Sequence, residues 1–64
     1  MSQIIEKPDG YVSSRVQNYK SKAVLLLYAD EDQEELIDKE VIGDSACSFE
    51  VFEDENNLII REVA

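Results

Sequence analysis

Histidine and tryptophan are missing from this chain, and it has only one cysteine, one proline and two glycines. Each shortage removes a kind of chemistry. Without His, neither the thiol of Cys47 nor the hydroxyls of Ser13, Ser14, Ser21, Ser45 and Ser48 have an imidazole to activate them. A lone Cys allows no internal disulfide, and one thiolate without imidazoles does not hold a structural zinc. Gly10 and Gly43 stand far apart and make no phosphate-cradling loop. The longest apolar run, residues 23–29, is too short to cross a bilayer. Ile4 and Ile5 are followed at once by charge, so no secretory signal is expected. Together with the unpaired Cys, this predicts a cytoplasmic protein.

Positive charge is also scarce. Six Lys and Arg face fifteen Asp and Glu, for a net charge of −9. The first 22 residues hold Lys7, Arg15, Lys20 and Lys22 against Glu6 and Asp9. All the other acids follow, with only Lys39 and Arg61 to answer them. Direct binding to a nucleic-acid backbone or to an anionic membrane is therefore disfavoured.

The chain does have enough apolar residues for a core, at 44% of its 64 positions. That length suits a single small domain spanning 1–64. Chains of this size bury only about 60% of their unfolded surface, so a partner or a second copy is a natural prop.

Pro8-Asp9-Gly10 reads as a turn, because Pro fixes φ and Gly accepts positive φ. Its flanks predict a hairpin whose second arm reaches about Gln17. After the polar connection Asn18 to Ser21, the run Lys22 to Tyr28 reads as a central strand covered on both faces. The acid-rich stretch 30–42 then carries helix signals. Asp30 stands at an N-cap with Gln33 in capping-box spacing, and the early acids suit the helix dipole. Glu35 and Lys39 are spaced i, i+4, and Leu36, Ile37 and Val41 make a narrow apolar face ending before Gly43. The competing reading is a hairpin with residues 35–42 as a strand.

The final segment predicts a second hairpin about Asp54-Glu55-Asn56-Asn57. Facing Glu53 with Leu58 also places Phe52 opposite Ile59, Val51 opposite Ile60 and Glu50 opposite Arg61. Phe49 then falls opposite Glu62, the one poor pairing. The end of the last strand, Arg61 to Ala64, is expected to be an open edge. The sum is an α+β fold: a small two-layer domain whose antiparallel sheet of about five strands carries one helix on one face.

No constellation of residues names an enzyme. In the strand reading Cys47 shares a face with Phe49 and Val51, which makes it a buried structural residue. Asp30, Asp32 and Glu34 match the first positions of a calcium loop. Glu35 and Val41 then occupy the places that require Gly and a bidentate Glu, so that site is rejected and no cofactor is expected.

What remains is the acidity itself. On a helix, Glu31, Glu34, Glu35 and Asp38 share one face, and Glu53, Asp54 and Glu55 add a cluster at a hairpin tip. The plain reading is a solubilising surface. The functional reading is an acidic module that binds a basic, nucleic-acid-handling protein by imitating phosphates. In size, charge and lack of catalytic groups, the chain looks like the small acidic inhibitors that phages make against host nucleoid proteins, polymerases or nucleases. Phe52 and Ile59 on the outer sheet face would supply apolar contacts beside the acids. The alternative is a structural accessory subunit or homodimer docking through that apolar face, with no mimicry.

Overall fold

The computed structural model describes residues 2–63. Six strands follow in order: β1 (Ser2–Glu6), β2 (Ser13–Tyr19), β3 (Lys22–Tyr28), β4 (Leu36–Asp44), β5 (Ser48–Glu53) and β6 (Asn57–Val63). They form two antiparallel three-stranded sheets, β1-β6-β5 and β2-β3-β4. There is no helix among the described residues. The expected α+β fold, with one sheet and one helix, is thus corrected to an all-β pair of packed sheets.

The run Lys22 to Tyr28 decides much of this. It is apolar on both faces and lies in the middle of its sheet, so both its edges need backbone partners. One partner is β2, reached by a two-residue turn at Lys20-Ser21 that sets Tyr19 opposite Lys22. The other is the segment expected to be a helix. Leu36 to Asp44 pairs along β3 with two bulges, at Ile37 and Ile42. Its β-branched Ile37, Val41 and Ile42 suit a pleated strand better than a helix. The narrow helical face is not buried either. Leu36, Ile37 and Val41 are all exposed, and Ile42 is the residue that enters the core.

The helix signals have other uses here. Asp30 does cap backbone N–H groups, but those of Glu34 and Glu35, at 3.0 and 3.1 Å, within the β3–β4 loop. Gly43 does not end a helix. It faces Phe49 across the two sheets, where an added Cβ would lie 2.5 Å from the ring Cζ.

The turn at Pro8 to Tyr11 forms as expected. Tyr11 N–H donates to Pro8 O at 3.1 Å, and Gly10 takes φ +86°. Its arms, however, do not pair with each other. β1 leaves to join β6 and β2 leaves to join β3, so the turn carries the chain from one sheet to the other.

The last hairpin adopts the expected register throughout, including Phe49 opposite Glu62. That pairing is tolerated because Phe49 leans into the space above Gly43. Of the stretch expected to be an open edge, Arg61 is paired on both sides, whereas Glu62 and Val63 pair only with Phe49 and Ser48 of β5 among the described residues. β6 is the middle strand of its sheet, and Arg61 pairs with Ser2 on one side and Glu50 on the other. Ala64 lies outside the described residues.

Ala23, Leu25, Leu27 and Ile42 from one sheet meet Leu58 and Ile60 from the other, with Ile5, Tyr11, Phe49 and Val51 packed around them. Leu25, Leu27, Leu58 and Ile60 are the largest fully buried side chains. Burial of this kind stabilises by about 1.5–3 kcal/mol per side chain, before the entropy of ordering is subtracted. Gln3 Nε2 donates to Ile42 O at 2.6 Å and ties the sheets together near one margin. On β4, Asp38 and Glu40 stand opposite Leu27 and Leu25. They therefore share the core-facing side of that strand, yet both are exposed at its margin.

Candidate functional site: a charged end and two apolar faces

Antiparallel topology sends the β1–β2, β3–β4 and β5–β6 connections to the same end of the molecule. Hydrogen bonds among them hold that end together. Lys7 N–H donates to Asn56 O at 2.9 Å, and Lys7 Nζ donates to Asp54 O at 2.7 Å. Val12 N–H donates to Tyr28 O at 2.8 Å, and Ser13 Oγ to Asp30 O at 2.6 Å. Tyr11 Oη donates to Glu53 Oε2 at 3.2 Å.

The charge follows this topology. Glu6, Asp9, Asp30, Glu31, Asp32, Glu34, Glu35, Glu53, Asp54 and Glu55 all lie in these connections or on the strand residues that enter them. Lys7 is the one cation among them, so this end carries ten negative charges against one positive. That equals the whole net charge of −9. Elsewhere Asp38, Glu40, Asp44, Glu50 and Glu62 cancel Arg15, Lys20, Lys22, Lys39 and Arg61.

Six of the expected partner-binding acids are therefore brought together, though not on a helix face. Glu31, Glu34 and Glu35 are exposed on the β3–β4 loop, and Glu53, Asp54 and Glu55 surround the β5–β6 turn. Asp38 is not part of the group, since it stands within β4.

Two acids at this end have structural work. Asp30 holds the β3–β4 loop through Glu34 and Glu35 N–H, while Gln33 takes φ +59° and donates from Nε2 to Ser14 O at 3.1 Å. Asp54 Oδ1 accepts from Asn56 N–H at 2.9 Å and from Asn57 N–H at 2.7 Å. These two N–H groups, first Asn56 and then Asn57, hold the Asp54 carboxyl below the usual aspartate range. Lys7 pairs with Glu53 at 3.6 Å. Burial raises Tyr11 above the ordinary tyrosine value. A hydrogen bond with Ser14 opposes that, and the charge of Glu53 adds to it.

The carboxylates of Asp30, Asp32 and Glu34 come within 4.8 Å of one another. Both oxygens of Asp30 already accept backbone N–H groups, and the cluster is open to water.

Phe52 and Ile59 sit directly opposite each other on the outer face of their sheet, as expected. Ile4, which the sequence reading missed, lies opposite Ile59 from the other side and is 70% exposed. The three make an apolar row across β1, β6 and β5. Arg61 closes one flank, lying 5.3 Å from the Phe52 ring centre and 3.0 Å from Glu50.

The outer face of the other sheet was not singled out at all. Tyr19, Val24, Leu26, Leu36 and Val41 line a groove of about 430 Å³ there, with Gln17 and Lys39 at its rim. The signal was present in β2, where Arg15, Gln17 and Tyr19 alternate to one side, and in the apolar back of β3.

Cys47 is neither buried nor in a strand. It lies half-exposed in the β4–β5 turn, where its hydrogen bond with Glu62 raises the thiol pKa. A raised pKa leaves less thiolate at neutral pH, the opposite of an activated nucleophile. Among the described residues, no helix is long and apolar enough to cross a membrane. Compared with models of protein families, with curated proteins and with solved structures, the chain matches none.

Proposed function

We propose that this protein is a small binding module whose charged end engages the basic surface of a nucleic-acid-handling protein and so inhibits or modulates it. The reading is supported chiefly by one observation: the entire net charge is gathered on one end of the fold, on loops pinned by Asp30 and Asp54. Ten carboxylates share an end of a molecule whose Cα envelope measures 30 × 24 × 14 Å. DNA carries about one phosphate charge per 1.7 Å of axis. The crowding here is of comparable order, so a groove that binds phosphates would find a similar field.

Clustered like charge costs stability, and the fold offsets that cost with hydrogen bonds to Asp30 and Asp54 and with the single cation Lys7. Such a surface contributes to association rate and specificity through complementary potential. No catalytic step is part of this proposal. A reducing compartment such as the cytoplasm suits the free thiol of Cys47.

Capture of basic proteins from a cell lysate on immobilised protein tests the reading. The expected result is retention of nucleic-acid-binding proteins at low salt, their release at high salt, and loss of retention when Glu31, Glu34, Glu35 and Glu55 are all changed to Gln. Asp30 and Asp54 stay in place because they hold the loops. Unchanged retention by the Gln variant would count against the charged end as the contact.

The apolar row of exposed Ile4 and Phe52 about half-buried Ile59 favours a second reading, docking or self-association through that sheet face. Sedimentation of Phe52→Ser beside the parent protein distinguishes them. Assembly lost in this variant, with charge-dependent capture also absent, supports the apolar face as the working surface.

A further inference from the structure

Most of the cations lie on one side of the molecule. On the outer face of β2-β3-β4, Arg15, Lys22 and Lys39 alternate with the groove residues Val24, Leu26 and Val41. Lys20, in the turn at the end of this face, extends over Tyr19 with Nζ 5.5 Å from the ring centre. These are four of the six Lys and Arg residues in the chain. None of the four is in an ion pair among the described residues, although the protein carries fifteen acids. Asp44, opposite Lys22, is the one acid whose register places it on this face. The groove itself is apolar and open, with Val41 and Tyr19 each 61% exposed. Apolar surface ringed by uncompensated positive charge is an unusual thing to leave bare on so acidic a molecule.

We infer that this face is a second binding surface, which takes a short acidic segment of a partner protein bearing one or two bulky apolar side chains. The apolar groups seat between Leu26, Leu36 and Val41, and the acids meet Arg15, Lys20, Lys22 and Lys39. Charge complementarity selects this occupant over the others. A second copy docked face to face would set the same four cations against one another, which costs affinity. A planar anionic membrane would have to approach the charged end as well as the face. The molecule is only 30 Å long, and charges are felt over about 8 Å at physiological salt. A narrow peptide needs only the groove, and of its lining only the Leu36 end adjoins the acidic β3–β4 loop.

This inference does not rest on the charged end, and its test keeps the two apart. The probe is a short synthetic peptide alternating Leu with Asp and Glu, titrated into the labelled protein and followed by NMR. Controls are the same peptide with Lys in place of its acids, and with Ser in place of its Leu. Lys39→Glu and Val41→Asp alter exposed side chains, and their spectra report whether the fold is kept. The expected result is shifts confined to the outer-face residues of β2, β3 and β4, with affinity lowered about tenfold or more by either substitution. The Gln variant of Glu31, Glu34, Glu35 and Glu55 binds this peptide at least as well as the parent.

Equal binding of the Lys peptide, shifts elsewhere on the protein, or no shift at millimolar peptide would each overturn the inference. Two further results would do the same. One is a dimer in sedimentation that Val41→Asp dissolves, which makes the groove a self-interface. The other is uptake by vesicles containing phosphatidylserine through this face when the peptide does not bind.

Discussion

The two ends of this molecule are built differently. At one end, three connections carry ten acids, and Asp30 and Asp54 are fastened to the backbone beside them. At the other, the chain turns at Lys20-Ser21 and again over 45–47, and the two turns touch through Ser45 N–H donating to Ser21 O at 3.1 Å. Little net charge lies there, and the tight packing of Phe49 on Gly43 is close by. Net charge is thus a property of one region and not of the protein as a whole. The charged end fastens its loop backbone to the carboxylates of Asp30 and Asp54, beside backbone hydrogen bonds such as Lys7 N–H to Asn56 O. The quiet end adds close packing of Phe49 on Gly43 to its turns, one of which Asp44 Oδ1 caps by accepting from Ala46 N–H at 2.9 Å.

Substitutions that strike one end and spare the other sharpen this contrast. The largest effect is expected at the quiet end. Gly43→Ala drives a methyl group into the Phe49 ring, and overpacking of this kind costs about 1–3 kcal/mol. That is a serious loss for a chain whose whole stability is on the order of 3–10 kcal/mol. Urea unfolding measures it, and recovery in the double variant Gly43→Ala, Phe49→Leu identifies the clash as the cause. At the charged end, Asp30→Ala leaves two backbone N–H groups of the loop without their acceptor. It is expected to cost about 1 kcal/mol, whereas Asp32→Ala costs almost nothing. Equal effects for the two aspartates would show that the charge, and not the cap, matters there.

Lys20 has φ +55°, a conformation that L residues avoid. Lys20→Gly is expected to raise stability by up to about 1 kcal/mol, the reverse of what glycine does inside a strand. Thermal unfolding at matched salt reads the gain.

The smallest effects come from pH, and they have opposite signs for two neighbours at the charged end. Asp54 has a lowered pKa, so its contribution is complete above the ordinary aspartate value and fades as pH falls through the lowered one. Tyr11 has a raised pKa, so its contribution is complete below the ordinary tyrosine value and fades as pH rises through the raised one. Amide exchange at Asn56 and Asn57 should quicken in acid, and that of residues around Tyr11 in strong base.

How much of this was legible in the sequence depended on how local each question was. The pairing of β5 with β6 could be read because the observed register sets apolar residues against apolar ones and Glu50 against Arg61, whereas the one-residue shift compared with it sets Val51 against Arg61 and Glu50 against Glu62. The turn at Pro8 to Gly10 could be read from its residues alone, yet which strands its arms would join could not. That choice between one sheet and two depends on contacts far along the chain. Residues 30–42 misled because an Asp that accepts backbone N–H groups looks the same before a helix and in a loop. The decisive demand came from β3, whose two bare edges required strands on both sides. The acids were legible as residues, but their gathering at one end follows from strand direction and became visible only with the topology. The basic groove was missed because its residues come from three strands, and each contributes only two or three of them.

Asp38 and Glu40 have one further consequence. β4 is an outermost strand with unpaired backbone groups along one side, the natural template for a second molecule to add a strand and begin a fibril. An incoming copy stacked there in register would bring its own carboxylates alongside these two and be turned away. Acidity on this flank, away from the charged end, is thereby expected to oppose edge-to-edge association of β4.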